Sequence, residues 1–339
     1  MNVMLTCAGR RNYLVKFFQE VLGNSGLVFA ADSSIEAATL QEADRGFVLP
    51  PIDNPDYFDR LLDICQKQQV RLLIPLNDLE LPLLARQRDR FLKIGTIPVI
   101  STPAAIDTCF DKWSTFQFLT RCGILCPQTY LSLADARQAI ASGAIAFPVV
   151  IKPRWGSASI GVEYAENDEE LELFYRFVQK TLRRTILANV SALDAEHCII
   201  IQEKVCGQEY GLDIVDDLEG NYRNTLARRK LYMRAGETAG AVTTADKQLQ
   251  ALGEKIADQL GHFGNLDCDV IANDRGLYVI EMNARFGGGY PFSHLAGANL
   301  PATLIAWANG EKPDPDWLSL TANVMMSKCD RLVFHKQWE

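Results

Sequence analysis

The sequence predicts an α/β protein in which an N-terminal domain with an open parallel sheet precedes a larger α+β domain. In the first hundred residues, short apolar runs alternate with amphipathic helical stretches, which is the pattern of a parallel sheet covered by helices. After Phe147 the sequence is mainly strand-like, with runs separated by turns. The length of 339 residues exceeds one ordinary hydrophobic core, so two or three packed subdomains are expected.

The N-terminal domain is predicted to contain four strands and two helices. The strands are expected at residues 2–6, 27–31, 71–75 and 98–101, and the helices at 13–22 and 57–68. Open parallel sheets bind ligands beyond the carboxyl ends of their strands. Here those ends carry the segments 7–10 (CAGR), 32–33 (DS) and 77–80 (NDLE). Gly9 lacks further glycines at the dinucleotide-binding spacing, which argues against a nicotinamide dehydrogenase.

A domain boundary is predicted near Thr102, which stands before a proline at a first helical position and divides residues 1–102 from 103–339. An apolar stripe from Phe110 to Leu119 then indicates a helix. Strands are predicted at 147–153, 197–204, 209–215, 226–232, 266–272 and 277–282, and helices at 169–182, 247–260 and 301–307.

Composition and charge exclude several classes of function. A net charge of −8 provides no general basic surface for a nucleic acid, although Arg10-Arg11 and residues 228–230 (RRK) suit a small phosphorylated ligand. No apolar stretch approaches the roughly 20 residues that span a bilayer, and the short apolar run at the start does not resemble a signal segment. The nine cysteines are scattered without a CxxC pair, which predicts reduced thiols and a cytoplasmic protein.

A strand that ends in a lysine and a small-residue loop is the first candidate for chemistry. Lys152 ends the run VVIKP and is followed by RWGSASIGV. Small residues let backbone N–H groups approach phosphate oxygens, and the lysine adds a positive charge. An ordinary hairpin with a surface lysine is the alternative.

An acidic hairpin is the second candidate. Gly276 is predicted to close a three-residue loop, in a register that places Asp269 opposite Glu281 and Asp267 opposite Asn283. These four side chains then share one face. Such a cluster is unfavourable without a cation, and oxygen ligands suit Mg²⁺. A solvated sheet face is the rival interpretation.

The third candidate is the exit of the strand before Glu209. Its backbone could bind an adenine edge, with Glu209 reaching the ribose hydroxyls.

The order of these features resembles the ATP-grasp superfamily, and most closely its single-module members that are similar to the carbamoyl phosphate synthetase large subunit. The resemblance runs from about residue 107 to 310. It depends most on DKW at 111–113, IKPRWGSASIGV at 151–162 and IEMNARFGGGYP at 280–291. The first hundred residues then resemble the Rossmann-like pre-ATP-grasp domain, followed by a two-lobed ATP-grasp domain with a lid subdomain at about 125–203 and a C-terminal lobe at about 204–339. Ala284 replaces the usual proline after ExN.

The resemblance implies a role for each matching residue. ATP phosphates would be bound by Lys112, Lys152 and the loop containing Gly156, Ser157 and Gly161, which folds over them as a lid. Adenine would contact Gln202, Glu203 and Val205, and the ribose Glu209. Mg²⁺, with Mn²⁺ as a substitute, would be held by Asp269, Glu281 and Asn283, with Asp267 as a competitor for the first position. Arg285 would stabilise the transferred phosphoryl group. Lys230 and Arg234 would add phosphate or carboxylate contacts, unless residues 228–234 form a solvated basic strand.

The resemblance also implies an ADP-forming ligase that joins a small-molecule carboxylate to an amine through an acyl phosphate. The sequence leaves the oligomeric state open, and a homodimer is the commonest assembly for such enzymes. A non-ligating ATP-binding module and a carboxy-phosphate- or carbamoyl-phosphate-forming enzyme are the alternatives. Complete carbamoyl phosphate synthesis is not expected from this chain, because it contains one synthetase module and no amidotransferase.

Overall fold

A computed structural model describes residues 1–156 and 159–335, and they form three sheets. The first sheet is parallel, with strand order β3-β2-β1-β4-β5. Its strands are β1 (Asn2–Thr6), β2 (Val28–Asp32), β3 (Arg45–Val48), β4 (Val70–Pro75) and β5 (Ile97–Pro98), and its helices are α1 (Asn12–Leu22), α2 (Ala38–Glu42), α3 (Tyr57–Lys67) and α4 (Leu81–Lys93). The predicted parallel α/β arrangement is therefore present, with one strand and two helices more than the sequence indicated.

Two helices lead away from this sheet. They are α5 (Pro103–Phe110) and α6 (Lys112–Arg121). The predicted apolar stripe is thus divided at Asp111, whose extended backbone ends α5 and whose side chain caps α6 by accepting from the N–H of Trp113.

The second sheet is small and antiparallel, with order β6-β9-β7-β8, and is called the lid sheet below. Its strands are β6 (Thr129–Tyr130), β7 (Val149–Pro153), β8 (Glu163–Ala165) and β9 (Ile199–Glu203), and its helices are α7 (Leu133–Ala141), α8 (Asp168–Leu182) and α9 (Ala188–Ser191). It has its own hydrophobic core, in which Val149, Ile151 and Leu171 are fully buried.

The third sheet is antiparallel and six-stranded, with order β14-β13-β10-β11-β12-β15. Its strands are β10 (Gln208–Asp216), β11 (Tyr222–Arg234), β12 (Glu237–Thr244), β13 (Gly264–Asn273), β14 (Gly276–Asn283) and β15 (Met325–Ser327), and its helices are α10 (Lys247–Leu260), α11 (Tyr290–Leu295) and α12 (Leu300–Ala308).

The first and third sheets share hydrophobic cores. One cluster joins Met4 and Leu73 of the first sheet to Leu212 and Leu266 of the third, and a second joins Phe18 to Phe286. The N-terminal domain and the third sheet are therefore packed together, whereas the lid sheet buries its apolar side chains separately. Within the described residues, no helix is long and apolar enough to cross a membrane.

Candidate active site

A cavity of about 280 Å³ lies between the lid sheet and the β13–β14 hairpin, and is called the central cavity below. It brings together ten of the residues that the sequence singled out. These are Lys112, Lys152, Gly156, Gln202, Glu203, Val205, Glu209, Lys230, Asp269 and Glu281.

Lys152 is delivered to this cavity by a buried strand. It is the fourth residue of β7, and only 7 % of its surface is exposed. Burial lowers the pKa of Lys152 to about 8, and the charge of Lys112 adds to this shift, while Glu281 and Asp269 oppose it. Among the described residues, no carboxylate lies within 4 Å of its ammonium group. The surface-hairpin interpretation is therefore wrong, because this lysine is a buried cation that faces the cavity.

Lys112 reaches the same cavity from the first turn of α6. Its ammonium group lies 3.1 Å from Oε1 of Glu281 and donates a hydrogen bond to the carbonyl of Gly156. Its backbone N–H donates to the carbonyl of Arg154 at 3.1 Å. Lys112 thus connects the hairpin with the segment that follows β7.

A buried ion pair fixes α6 against that segment. Arg154 donates two hydrogen bonds of 2.7 Å to the carboxylate of Asp111 and a third, of 3.0 Å, to Asp194. The guanidinium also lies 4.5 Å from the ring centre of Trp155, which is buried and lines the cavity. Arg154 and Trp155 are therefore held against α6 by these contacts.

The acidic hairpin has the predicted register but a different turn. Asp269 pairs with Glu281 and Asp267 with Asn283. The turn contains two residues, because Asn273 pairs with Gly276, and the expected three-residue loop is wrong. A β-bulge restores the register: Val270 pairs with Val279, which leaves Ile280 unpaired. Ile280 lines the cavity.

Basic side chains neutralise the acidic face. Asp269 lies 2.7 Å from the ammonium group of Lys230, and Glu281 is paired with Lys112. Asp267 accepts from Arg228 at 3.2 Å and from Arg285 at 3.1 Å. Charge compensation alone therefore does not require a metal ion on this face, since four basic residues already supply it.

The oxygen atoms around the central cavity can be compared with the ligands that Mg²⁺ requires. Within the described residues, no three His, Cys, Asp or Glu side chains are grouped to hold a metal ion. Asp269 and Glu281 nevertheless both line the cavity and both supply carboxylate oxygens, the ligands that Mg²⁺ prefers when phosphates and waters complete its shell. Asp267 does not line the cavity, and two arginines occupy its carboxylate. These residues fit a Mg²⁺ ion that arrives with a nucleotide, and they favour Asp269 over Asp267.

Arg285 lies behind the acidic face and contacts the N-terminal domain. Its guanidinium donates to Asp78 at 2.8 Å and to Asp267 at 3.1 Å, and the residue is buried. Burial alone would lower the pKa of Arg285, but the carboxylates of Asp78 and Asp267 outweigh it and raise the pKa. A permanently charged guanidinium is thus held beside the hairpin. Asp78 follows β4, where polar residues at strand ends were noted without a role.

Arg228, which the sequence analysis named only as part of a basic run, holds a central position. It is 1 % exposed, and its guanidinium binds Asp213 at 2.5 Å and Asp267. The solvated-strand interpretation is wrong for Arg228 and for Lys230, which is also buried. Burial lowers the pKa of Lys230, but Asp269 outweighs burial and raises it.

The glycine loop at 287–289 packs on this network. A Cβ atom on Gly287 would lie 2.1 Å from the Asp267 carboxylate, and one on Gly289 would lie 2.1 Å from Arg228. The glycines are therefore required by close approach to buried charges.

The strand exit after β9 forms another wall of the cavity, and Glu209 at the start of β10 lies 3.9 Å from the ammonium group of Lys230. Gln202 donates to Thr129 at 2.9 Å, and Glu203 is bound by Arg275 at 3.2 Å. Val205 is buried and Glu209 is exposed. Apolar side chains to which the sequence analysis gave no role also line the cavity: Val150, Val270 and Ile280 from the two sheets, and Ile160 and Val162 from the segment before β8.

Three more predicted residues do not line the central cavity. Gly161 packs on Pro153 in a left-handed turn (φ +67°) and does not line the cavity. Asn283 is likewise outside the cavity lining, opposite Asp267. Arg234 is exposed and pairs with Asp330 at 2.7 Å, away from the central cavity. Ser157 lies outside the described residues.

Comparison with known proteins identifies the domains of this chain. A profile of the ATP-grasp domain matches residues 109–289, and a profile of the PylC-like N-terminal domain matches residues 3–100. A curated relative, a probable alpha-L-glutamate ligase of Histophilus somni, is 28 % identical over 183 residues, which is 52 % of this chain and 56 % of the relative. The alignment thus spans little more than half the length of the curated relative.

Solved structures share the fold at low identity. The biotin carboxylase domain of Hydrogenobacter thermophilus 2-oxoglutarate carboxylase, in complex with MgADP and bicarbonate, has a TM-score of 0.73 and 19 % identity, covering 96 % of this chain and 73 % of that one. An L-amino acid ligase from Bacillus licheniformis has a TM-score of 0.69 and 19 % identity, covering 92 % and 75 %. By fold and by domain match, this chain is a member of the ATP-grasp family that carries a PylC-like N-terminal domain.

Proposed function

We propose that this protein is an ATP-dependent ligase that activates a carboxylate as an acyl phosphate, passes it to an amine, and forms ADP. One observation carries the proposal. The lining of the central cavity combines Lys112, Lys152 and Lys230 and the carboxylates of Asp269, Glu281 and Glu209 with apolar side chains from both facing walls. A nucleoside triphosphate needs both kinds of lining, because its phosphates are charged while its base is flat and largely apolar.

In this proposal the nucleotide spans the central cavity. Adenine lies between Val150 of the lid sheet and Ile280 of the hairpin, near Gln202, Glu203 and Val205. Glu209 binds the ribose. Lys112, Lys152 and the backbone at Gly156 hold the phosphates. Asp269 and Glu281 would hold Mg²⁺, which when bound offsets charge on the β- and γ-phosphates.

The reaction then proceeds in two displacements. A carboxylate oxygen of the first substrate attacks the γ-phosphorus, the bond from that phosphorus to the bridging oxygen breaks, and ADP leaves. The amine then attacks the acyl carbon, phosphate departs, and the nitrogen loses a proton. Arg285 stays charged throughout and stabilises the phosphoryl oxygens, while Lys230 orients Asp269.

Water exclusion protects the acyl phosphate between the two steps. The buried ring of Trp155 and the side chain of Ile160 line the cavity on the lid side. Because Trp155 is fixed through Arg154 and Asp111, this wall is in place before substrates bind.

The names of two similar proteins support a ligase. The Histophilus somni relative is a probable alpha-L-glutamate ligase, and the Bacillus licheniformis structure is an L-amino acid ligase. Both names describe the joining of amino acids, so amino acids are the first carboxylates and amines to test.

ADP and phosphate release with Mg²⁺-ATP is the test, measured for amino acids and other carboxylates, singly and in pairs. Hydroxylamine replaces the amine in a parallel series, because an acyl phosphate converts it to a hydroxamate. Glu281→Gln is expected to lower turnover at least a hundredfold, while Glu254→Gln on the exposed face of α10 leaves it unchanged.

The outcomes separate the candidate functions. Turnover that requires a carboxylate and yields a hydroxamate supports the ligase. ATP binding without turnover for any pair supports the binding module. Bicarbonate-dependent ADP release without an amide product supports a carboxy-phosphate-forming enzyme.

A further inference from the structure

A second cavity, of about 720 Å³, lies between the N-terminal domain and the third sheet, and is called the basic cavity below. Its walls are the loop after β1, the start of α1, the β11–β12 turn, α11 and residues 326–333. Six basic side chains line it, against two acidic ones, Glu237 and Asp330. The basic residues are Arg10, Arg11, Lys16, Arg234, Lys328 and Arg331. This excess is opposite in sign to the net charge of −8 of the whole chain.

The basic residues divide into paired and unpaired ones. Arg234, Lys328 and Arg331 contact Asp330, Glu237 and Glu42, respectively. By contrast, no carboxylate of the described part of the chain lies within 4 Å of Arg10, Arg11 or Lys16, and the Arg11 guanidinium donates instead to the backbone carbonyl of Leu76. These three cluster on the loop after β1 and the first turns of α1, whose N-terminus has no side-chain cap. The positive charge of the cavity is therefore uncompensated at one place.

Two buried polar atoms at the same place lack partners. The hydroxyl of Tyr13 and Nε of Arg11 are inaccessible to solvent, and neither has a hydrogen-bond partner among the described residues. Both residues line the cavity. A buried donor without a partner is unfavourable, and a ligand oxygen would satisfy it.

The inner end of the basic cavity adjoins the proposed reaction centre. Burial raises the pKa of Tyr13 to about 12, and the charges of Arg11, Glu237, Arg285 and Asp267 also act on this hydroxyl. A Cβ atom on Gly288 would lie 3.2 Å from the Glu237 carboxylate. The glycine loop therefore lies between Glu237, which lines the basic cavity, and Asp267, which binds Arg285.

Resting on the proposed function, we infer that the basic cavity binds the substrate that is activated or acylated, and that this substrate carries a dianionic group remote from its reacting end. A phosphate or a pair of carboxylates supplies this chemistry. Arg10, Arg11 and Lys16 bind the dianion, the Tyr13 hydroxyl donates to the substrate, and its reacting end points towards Arg285. A simple uncharged amine or a cationic one does not fit, because the lining would repel a cation.

Isothermal titration calorimetry tests the inference with inorganic phosphate and succinate as probes, in saturating MgADP so that the nucleotide site is filled. Each probe represents one source of the dianion. Arg10→Ala and Lys16→Ala change exposed side chains, and each is expected to weaken binding of the preferred probe roughly tenfold or more. Lys180→Ala on the exposed face of α8 is the matched control.

Phosphate could instead bind next to MgADP in the central cavity, and Lys152→Met separates the two sites. The inference is overturned when Lys152→Met abolishes binding while Arg10→Ala does not, or when neither probe binds at millimolar concentration. The dianion inference and the ligase proposal can fail independently. ADP release with uncharged or monoanionic substrates would support a ligase that lacks a dianion site. Probe binding lost in Arg10→Ala but without ADP release for any substrate would support the dianion site alone.

Discussion

The affinity for Mg²⁺-ATP is expected to fall about tenfold between pH 7 and pH 9, because Lys152 loses its proton in this range. Burial lowers its pKa to about 8. A group with this pKa is about nine-tenths protonated at pH 7 and about one-tenth protonated at pH 9. If ATP binds only the charged lysine, the apparent dissociation constant rises in inverse proportion to that fraction.

The assay is a titration with a non-hydrolysable ATP analogue and Mg²⁺ at half-unit steps of pH. Lys152→Arg keeps its charge throughout the range and should remove the pH dependence, even where its overall affinity is lower. Lys180→Arg, at an exposed position, should retain the wild-type profile. A flat wild-type profile, or an equal slope in Lys152→Arg, refutes the assignment.

The lowered pKa of Lys152 also predicts that the stability of the free protein rises with pH, whereas the affinity for ATP falls. The pKa of Lys152 is lower in the folded protein than the ordinary value of 10.5, so the charged form destabilises the fold below pH 8. The wild type should therefore gain stability as the pH rises from 8 towards 10.5, by at most about 3 kcal/mol. Lys152→Met should be more stable at pH 7 without nucleotide and lack that gain. Urea denaturation at pH 7 and pH 10 measures both values.

Three further predictions concern residues around the site. Asp111→Asn weakens the ion pair with Arg154, so urea denaturation should show a free energy of unfolding that is lower by about 3 kcal/mol. ATP should also bind more weakly, and an unchanged free energy of unfolding would contradict the anchoring role. Gly289→Ala places a Cβ 2.1 Å from Arg228 and should lower the rate of ADP release at least tenfold. Gly288→Ala is the control, because its Cβ would meet only the flexible Glu237 carboxylate at 3.2 Å. Equal rates in the two variants would contradict the role of the close approach to Arg228. Burial raises the pKa of Glu80 from 4.5 to about 7, so wild-type stability should fall as the pH rises from 4.5 to 7 and then level off. Glu80→Gln should lack this fall in thermal denaturation, and a parallel fall in the variant would refute it.

Much of the fold could be predicted because local patterns agreed with it. Alternating strands and helices indicated the parallel sheet, and period-two alternation indicated the hairpin. The edge strand β3 is half-exposed and carries no alternation, so it gave no signal. Strand β12 was missed because it is rich in glycine and alanine. The structure explains this composition, since the ring of Tyr232 leaves no room for a side chain on Gly240.

A site residue could be predicted where it lies on, or directly after, a strand that the local sequence pattern itself indicates. Lys152, Asp269 and Glu281 follow from strand ends and register. The buried ion pairs of Asp78 and Arg228 were not predicted, because each residue pairs with partners that are distant in sequence: Arg285 for the first, and Asp213 and Asp267 for the second. The β-bulge at Ile280 also could not be predicted, and the correct register was obtained from an incorrect turn.

The contact between Asp78 and Arg285 affects how this protein can be divided or recombined. The two residues lie 207 positions apart, one in each of the two regions matched by separate family profiles. A fragment that begins at the ATP-grasp region would lose one of the two carboxylates that hold this arginine. A chimera with a foreign N-terminal domain would need an acidic residue after its fourth strand to restore it. Genetic exchange of the N-terminal domain is therefore constrained by charge matching as well as by the shared hydrophobic core.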